Sequence, residues 1–529
     1  MKEIISENKP CLVQTGQGFS VTYKNRLLYS KYNPGRNITT LIEKTPVLPG
    51  TVILCISPVL EYGLELLASR LPENCLMIGI EKEEELYNLA LSQTKNLSCA
   101  KKNIYTLFNN HKLNTLPSYL ENLSLSGKYR RVIAIEFSGG TQFNSEYYNS
   151  LFEASRNSIN QFWKNRVTLV KFGRKYSANL FKNIRLFSKG ISSLKTDKTI
   201  IVAGAGESAV ETLLSIKDHS SEYFIIAVDA ALQTLKALKI RPNAVICEES
   251  QSVIKRAFTG CRDFFDYLFV SSTVNPSVSK INPEKNIFYT PLFLKTGFLE
   301  HLADIKLLPE PQEPLGSVGL SAVNAALQIR KNEDIPVFVT GLDFSFSTGQ
   351  THAKMSFHEK NRRIKSSKIK TMECYESSFS KDSRFLKGKN DSTVITSTSL
   401  YGYAELFRYK FSGIKNLYDA GKTGLSLSLP EKEPFITNKN GKTEVIKSST
   451  PTESVKGFLS EEKNALLELK DIFTGKIQLS EEERTKKITA LLKNREYLFL
   501  HFPDGFTLSL FQDFLNRIRI EIDYFLKLL

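Results

Sequence analysis

Two glycine turns carry the residue types that can hold an anion. The first lies in Thr199-Ile-Ile-Val-Ala-Gly-Ala-Gly-Glu-Ser208, an apolar run that breaks into glycines. The second, Gly316-Ser-Val-Gly319, opens a helical pattern that leads to Val337-Phe-Val-Thr-Gly-Leu-Asp-Phe344 and then Thr351-His352. Where glycines lead into a helix, the N–H groups of the turn and those of the helix N-terminus face the ligand together. Two such turns in one domain point to a nucleotide-type ligand held between them.

These turns need a parallel sheet behind them. Strands are expected at Ile200–Ala203, Phe224–Val228, Ala244–Glu248, Leu268–Ser271 and Val337–Thr340, with helices at Ala209–Ile216, Ala230–Leu238 and Ser321–Arg330. In an open α/β sheet, ligands sit beyond the carboxyl ends of the strands. Those ends carry Gly204-Ala-Gly206, Asp229, Glu248-Glu249 and Gly341-Leu-Asp343, so four of the five offer glycine or carboxylate.

A second βαβ rhythm precedes this one. Thr51–Ser57, Cys75–Glu81, Ile104–Phe108 and Val132–Phe137 read as strands, after short strands and a helix between 12 and 45. Glu81 ends a strand where a Rossmann fold places its ribose-binding acid, but the preceding turn, Ser57-Pro-Val-Leu-Glu-Tyr-Gly63, lacks G-x-G-x-x-G, so Glu81 reads as structural. Residues 145–194 read as two or three amphipathic helices, with Trp163 a packing residue. Between Lys354 and Lys389, eleven Lys/Arg stand against four Asp/Glu without apolar periodicity, which describes a solvated loop or a lid whose cations meet an anion on closing. Neutralising that segment should weaken activity with little loss of stability. A Lys/Glu/Ser/Thr-rich linker from 435 to about 454 leads into helical segments at Ser460–Thr474, Ser480–Phe499 and Phe506–Leu529. The expected organisation is α/β: an N-terminal Rossmann-like domain (1–144), a helical connector (145–197), a central α/β domain (198–434) with the basic loop 354–389, and a linker with a C-terminal helical region (435–529).

Composition narrows the classes. At 529 residues, two or three domains are expected. No window approaches the roughly 20 apolar residues of a membrane span, and Met1-Lys-Glu-Ile-Ile-Ser-Glu-Asn8 has no apolar signal core. Seven scattered cysteines without C-x-x-C fit a reducing cytoplasm and neither a disulfide framework nor a structural zinc site. The formal charge of +16 asks for an anionic partner, but no basic helix interleaved with aromatics marks nucleic acid as that partner.

Gly204-Ala-Gly-Glu-Ser208, Ala227-Val-Asp-Ala-Ala231 with Lys239-Ile-Arg-Pro-Asn243, Gly316-Ser-Val-Gly319, and Gly341-Leu-Asp-Phe344 with Gly349-Gln-Thr-His352 stand in an order and spacing that resemble the motility-associated factor (Maf) flagellin glycosyltransferases. The resemblance is specific across roughly 198–353. It implies a central domain of modified Rossmann, sialyltransferase-like fold and transfer of a sialic-acid-like nonulosonic sugar (pseudaminic or legionaminic type) from a CMP-activated donor. The acceptors it implies are Ser/Thr hydroxyls of flagellin in the bacterial cytoplasm, in support of flagellum assembly. On the same ground Gly204, Gly206 and Ser208 would hug the nucleotide, Asp229 would contact nucleotide or sugar, and Gly316, Ser317 and Gly319 would lie by the donor's phosphate or carboxylate. Glu248 or its neighbour Glu249 would be the acid after the third strand. Glu207 stands where the family usually has proline, putting a carboxylate beside a presumed phosphate. The core also resembles the MptE-like pterin pyrophosphokinases, which use ATP and Mg²⁺, and that is the second reading. A methyltransferase ranks third, and a non-catalytic flagellin-binding adaptor is the competing non-enzyme class.

Transfer from a CMP donor has a phosphate leaving group that needs little acid help, so the remaining tasks are placing the acceptor and removing its proton. Histidine suits that proton. Of six histidines, His352 lies just past Asp343 near the strand ends, and the expectation is a His–Asp pair in which His352 is the base and Asp343 orients its ring. With no Asp-x-Asp in the core, no obligatory metal is expected, although Mg²⁺ is compatible with a nucleotide substrate.

Overall fold

The computed structural model describes residues 9–293, 296–374, 382–447 and 451–529. Contacts divide the chain into two units, Met1–Lys171 with Leu500–Ser509, and Phe172–Phe499 with Leu510–Leu529.

In the first unit, β1 (Cys11–Thr15), β2 (Gly18–Tyr23) and β3 (Arg26–Leu27) form an antiparallel sheet. The strands β4 (Thr51–Ile56), β5 (Leu76–Ile80), β6 (Tyr105–Leu107) and β7 (Arg131–Glu136) form a parallel sheet in the order β6-β5-β4-β7. Every residue of β4 is buried, as the apolar run Val-Ile-Leu-Cys-Ile requires of a central parallel strand covered on both faces. Glu81, just past β5, is fully buried, and its carboxylate accepts from Ser57 Oγ, Tyr148 Oη (2.9 Å) and the Glu83 N–H (2.9 Å). Glu81 is thus engaged by the protein's own donors, as a structural residue is. Trp163 donates to the Tyr129 carbonyl and packs edge-on to Phe506, as expected of a packing residue.

The second unit is built on a ten-stranded sheet. Its members are β8 (Ile191–Thr196), β9 (Ile200–Ala203), β10 (Phe224–Val228), β11 (Ala244–Cys247), β12 (Tyr267–Ser271), β13 (Asn286–Pro291), β14 (Glu310–Gln312), β15 (Val337–Thr340), β18 (Leu417–Asp419) and β19 (Thr443–Lys447). A separate antiparallel pair, β16 (Ser383–Lys387) and β17 (Thr393–Ser397), lies between β15 and β18 in the chain. The sheet order is β18-β15-β9-β10-β11-β12-β13-β8-β19, with β14 beside β13 and only β19 antiparallel to its neighbour. From β9 the chain steps outward through β10 to β13 on one side and places β15 and β18 on the other. Strand order therefore reverses at β9, the position where such sheets open a crevice.

Two expectations change here. The stretch 145–187 is not several helices but one 43-residue helix, Ser145–Phe187, because no proline and only Gly173 interrupt it. The connector then ends in a sheet strand, β8. The linker expected from 435 carries β19, which pairs antiparallel along the β8 edge. The C-terminal helices (Thr452–Phe473, Glu481–Leu492 and Gln512–Leu526) belong to the same unit as the sheet. Phe181 explains this, since its ring meets Phe298, Phe458, Tyr497 and Phe525 in one aromatic cluster. Ser480 and Glu483 form the capping box their spacing predicts. Among the described residues, no helix is long and apolar enough to cross a membrane.

Candidate functional site

A cavity of about 510 Å³ opens at the carboxyl ends of β9, β10 and β15, where the strand order reverses. Its wall is Ala205 and Gly206 after β9, Asp229 and Ala230 after β10, Gly341 to Phe346 after β15, and Ser317 to Gly319 at the head of the helix Val318–Ile329. Thr351, His352 and Arg362 close one side, and Ser397, Leu400 and Tyr403, at the start of the helix Thr398–Phe411, close another.

The first glycine turn is shaped by the chain beside it. A Cβ on Gly204 would stand 2.2 Å from the Gly341 carbonyl oxygen, and one on Gly206 would stand 2.4 Å from the Asp343 carboxylate. Gly204 therefore serves the crossing of two loops and does not line the cavity, while Gly206 does both. Ser208 is also turned inward. Its N–H donates to Asp343 at 3.0 Å, its hydroxyl donates to the same carboxylate, and its oxygen accepts from the Gly341 N–H at 2.9 Å. Glu207 lies outside the wall and accepts from Ser347 Oγ at 2.9 Å, so its carboxylate does not confront a ligand in the cavity.

The second turn differs. Gly316 holds φ +70°, a left-handed value that glycine adopts without cost, and stands behind Tyr403 rather than in the wall. Ser317 caps the following helix in position only, for its hydroxyl makes no capping bond to the helix N–H groups. The hydroxyl and the head of a 12-residue helix thus meet the cavity together. Gly319 lies in the same wall and packs against Leu342.

Three ionisable groups expected from the sequence reach the cavity. Asp229 follows β10, and burial pushes its carboxyl up to about 6 against hydrogen bonds from Cys247 and the Ala230 N–H. Burial likewise pushes Asp343 up to about 6, although Ser208 and the Lys389 ammonium favour its charged form. His352 is pushed down to about 3, by burial and then by His358 and the Arg362 guanidinium, so its imidazole is neutral at physiological pH. Its ring stacks on His358 at 4.3 Å between centroids, and Nδ1 lies 3.0 Å from Thr351 Oγ1. The expected His352–Asp343 pair is therefore corrected. Both Asp343 oxygens are taken by the Ser208 N–H and hydroxyl, and His352 Nδ1 meets Thr351 instead. Glu248 stands outside the wall, where its Oε1 accepts from Tyr289 Oη at 2.8 Å and burial raises its pKa. Glu249 accepts from the Gln251 N–H.

Both raised carboxyls bind more protons in the folded chain than in the unfolded one between about pH 4 and 6. Their contribution to stability is complete below the unfolded value and is lost as pH rises through about 6. The second unit should accordingly melt higher at pH 5 than at pH 7.5, and Asp229→Asn should flatten that slope, as thermal scans at the two pH values would read. An equal slope in the variant would remove Asp229 as its source.

The basic segment is not one loop. Ser356 caps a helix, Phe357–Lys365, by accepting from the Glu359 N–H, and that helix carries Arg362 into the wall. The serine–x–x–glutamate spacing at 356–359 is the sequence signal that could have located this helix within the charge run. Lys389, at the other end, is 3% exposed and forms an ion pair with Asp419, equally buried, so it is no lid cation. Residues 375–381 of the segment lie outside the described residues. Tyr403 and Arg362 are wall residues that no motif singled out.

A family model described as "6-hydroxymethylpterin diphosphokinase MptE-like" matches residues 174–349. An uncharacterized protein of Treponema pallidum (strain Nichols) is 29% identical over 553 residues, covering 98% of this chain and 95% of its own. The structure of Maf glycosyltransferase from Magnetospirillum magneticum AMB-1 superposes with a TM-score of 0.54 at 11% identity, over 99% of this chain and 91% of that one. The chain is thus similar in fold to a Maf glycosyltransferase along nearly its whole length and carries an MptE-like segment at its centre.

Proposed function

We propose that the protein is a glycosyltransferase that moves a nonulosonic, sialic-acid-like sugar from a CMP-activated donor to Ser/Thr hydroxyls of flagellin, in the bacterial cytoplasm before export. One observation carries the reading. Among the described residues, the cavity at the strand reversal sets a helix head and one arginine, Arg362, against two carboxyls whose pKa burial raises. That balance suits a donor with one phosphodiester and one carboxylate. A triphosphate would crowd more negative charge beside Asp229 and Asp343 than one guanidinium and one helix N-terminus offset. The likeness in fold to a Maf glycosyltransferase supports the same reading.

In this reading Ser317 and the helix head hold one anion of the donor and Arg362 the other. The acceptor oxygen bonds to the anomeric carbon, the carbon–oxygen bond to phosphate breaks with its electron pair leaving on CMP, and the acceptor's proton passes to His352. Gly206 lets the nucleotide approach the backbone, and Asp229 meets its ribose or the sugar. Calorimetry with CMP, CTP, ATP and GTP tests the donor class, and cytidine nucleotides are expected to bind in preference. Ser317→Ala should weaken that binding by about 1.5–3 kcal/mol, the worth of one hydrogen bond to a charged group. The MptE-like match makes the pyrophosphokinase the second reading. Selective, Mg²⁺-dependent binding of ATP would replace the first reading with it, and wild-type affinity in Ser317→Ala would take the helix head out of the site. Intact-mass measurement of flagellin from cells with and without the gene reads the acceptor directly.

A further inference from the structure

Glu359 is 1% exposed and lies behind the cavity wall rather than in it. Its Oε1 accepts from the Thr351 N–H at 3.2 Å and from Arg362 Nη1 at 3.3 Å, and Thr351 Oγ1 lies 3.5 Å away. The same Thr351 Oγ1 is 3.0 Å from His352 Nδ1. A threonine hydroxyl has one proton to give. Given to His352 Nδ1, it would leave the imidazole proton on Nε2, where the ring could only donate. Given to Glu359, it leaves the threonine oxygen to accept from an Nδ1–H, and Nε2 keeps a free lone pair. The contact to Nδ1 is the shorter of the two, 3.0 Å against 3.5 Å, but a carboxylate attracts the proton more strongly than a neutral ring nitrogen, and the second arrangement rests on that difference. Stacking on His358 fixes the plane of the ring but does not choose between its nitrogens.

We propose that Glu359, acting through the Thr351 hydroxyl, is a positioning residue that fixes His352 as its Nδ1–H tautomer and leaves Nε2 as the nitrogen able to take a proton. This is the orienting role that the sequence assigned to Asp343. Its catalytic meaning rests on the proposed function, whereas the tautomer does not. Glu359 also holds Arg362, so one buried carboxylate sets both the base and the cation of the wall.

The test uses the full chain labelled with ¹⁵N-histidine, with His352 assigned by the signal lost in His352→Gln. Two-bond ¹H–¹⁵N correlation at pH 7.5 reads which nitrogen is protonated, and wild type should show a protonated Nδ1. Thr351→Val keeps the shape and removes the hydroxyl, so His352 should revert to the Nε2–H form that free imidazole prefers. Thr351→Ser should restore the wild-type pattern, and Glu359→Gln should give a mixture. Unchanged signals from the other five histidines show that the fold is retained. A wild-type His352 protonated on Nε2, or a Thr351→Val spectrum like wild type, overturns the proposal. In transfer assays Thr351→Val should lower kcat by about 10–100-fold with donor KM unchanged. Wild-type protein that shows the expected tautomer but transfers no sugar would count against the glycosyltransferase reading alone.

Discussion

Replacing His352 with alanine is expected to lower transfer to the acceptor by about 10²–10⁴-fold while leaving nucleotide affinity nearly unchanged. A base acts on the acceptor hydroxyl, whose proton is lost only along the reaction, so donor binding hardly notices its removal. His352 faces the cavity as a neutral ring, with burial, His358 and Arg362 holding its pKa near 3. In the free protein it is thus ready to accept at any physiological pH, although as a weak base. An anionic donor beside Arg362 would cancel part of that guanidinium's field and raise the imidazole toward the range where a base works best. The acid limb of kcat/KM, which reports the free protein, should therefore lie well below the 6.5 of an ordinary histidine. Asp343→Asn should act by a different route. It breaks the bonds to Ser208, so its cost falls on the glycine turn, and its effect on transfer should add to that of His352→Ala rather than overlap it. Transfer assays with the two single variants and the double variant decide this. Near-normal transfer by His352→Ala would move the base to Asp229, whose carboxyl also reaches the cavity, and strongly non-additive losses would restore a His352–Asp343 pair.

How far the sequence reaches can be read from individual elements. The strands Ile200–Ala203, Phe224–Val228 and Val337–Thr340 lie where their apolar runs place them, because a parallel strand covered on both faces must be apolar throughout. The edge strands β8 and β19 escaped notice, since Ile191-Ser-Ser-Leu-Lys-Thr196 and Thr443-Glu-Val-Ile-Lys447 are polar enough for one solvated face and look like connector. Likewise, Gly206, Asp229, Ser317, Gly319, Asp343 and His352 were visible as residue types at strand ends and turns, and all six meet in one cavity. What the chain could not reveal is which neighbour each polar group prefers. Asp343 and Ser208 are 135 residues apart, and only the fold brings that carboxylate to that hydroxyl. Arg362 was hidden for the opposite reason. In a segment with eleven cations, composition gives no way to tell the one in the cavity wall from those in solvent.

That segment separates into two kinds of cation, and Lys389 is where the difference is largest. Lys389→Met is expected to destabilise the second unit by about 3–5 kcal/mol, the cost of leaving a buried charge without its partner. The partner is Asp419, 3% exposed like Lys389 itself, and the lysine also donates to the Gly421 carbonyl at 2.7 Å. Its ammonium further favours the charged form of Asp343, so removing it withdraws support from two buried carboxyls at once. Both would answer by taking up protons, and the loss of stability should shrink as pH falls toward 5. By contrast Arg363, Lys365 and Lys368 are exposed and form no ion pair among the described residues, and replacing them together with glutamine should change stability by no more than about 0.5 kcal/mol. Urea titration of the two variants, followed through the transition of the second unit, separates the cases. Lys389→Met paired with Asp419→Leu should recover much of the loss, because an apolar pair of similar volume no longer strands a charge. If instead Lys389→Met kept full stability and lost only activity, Lys389 would be a ligand-facing cation after all.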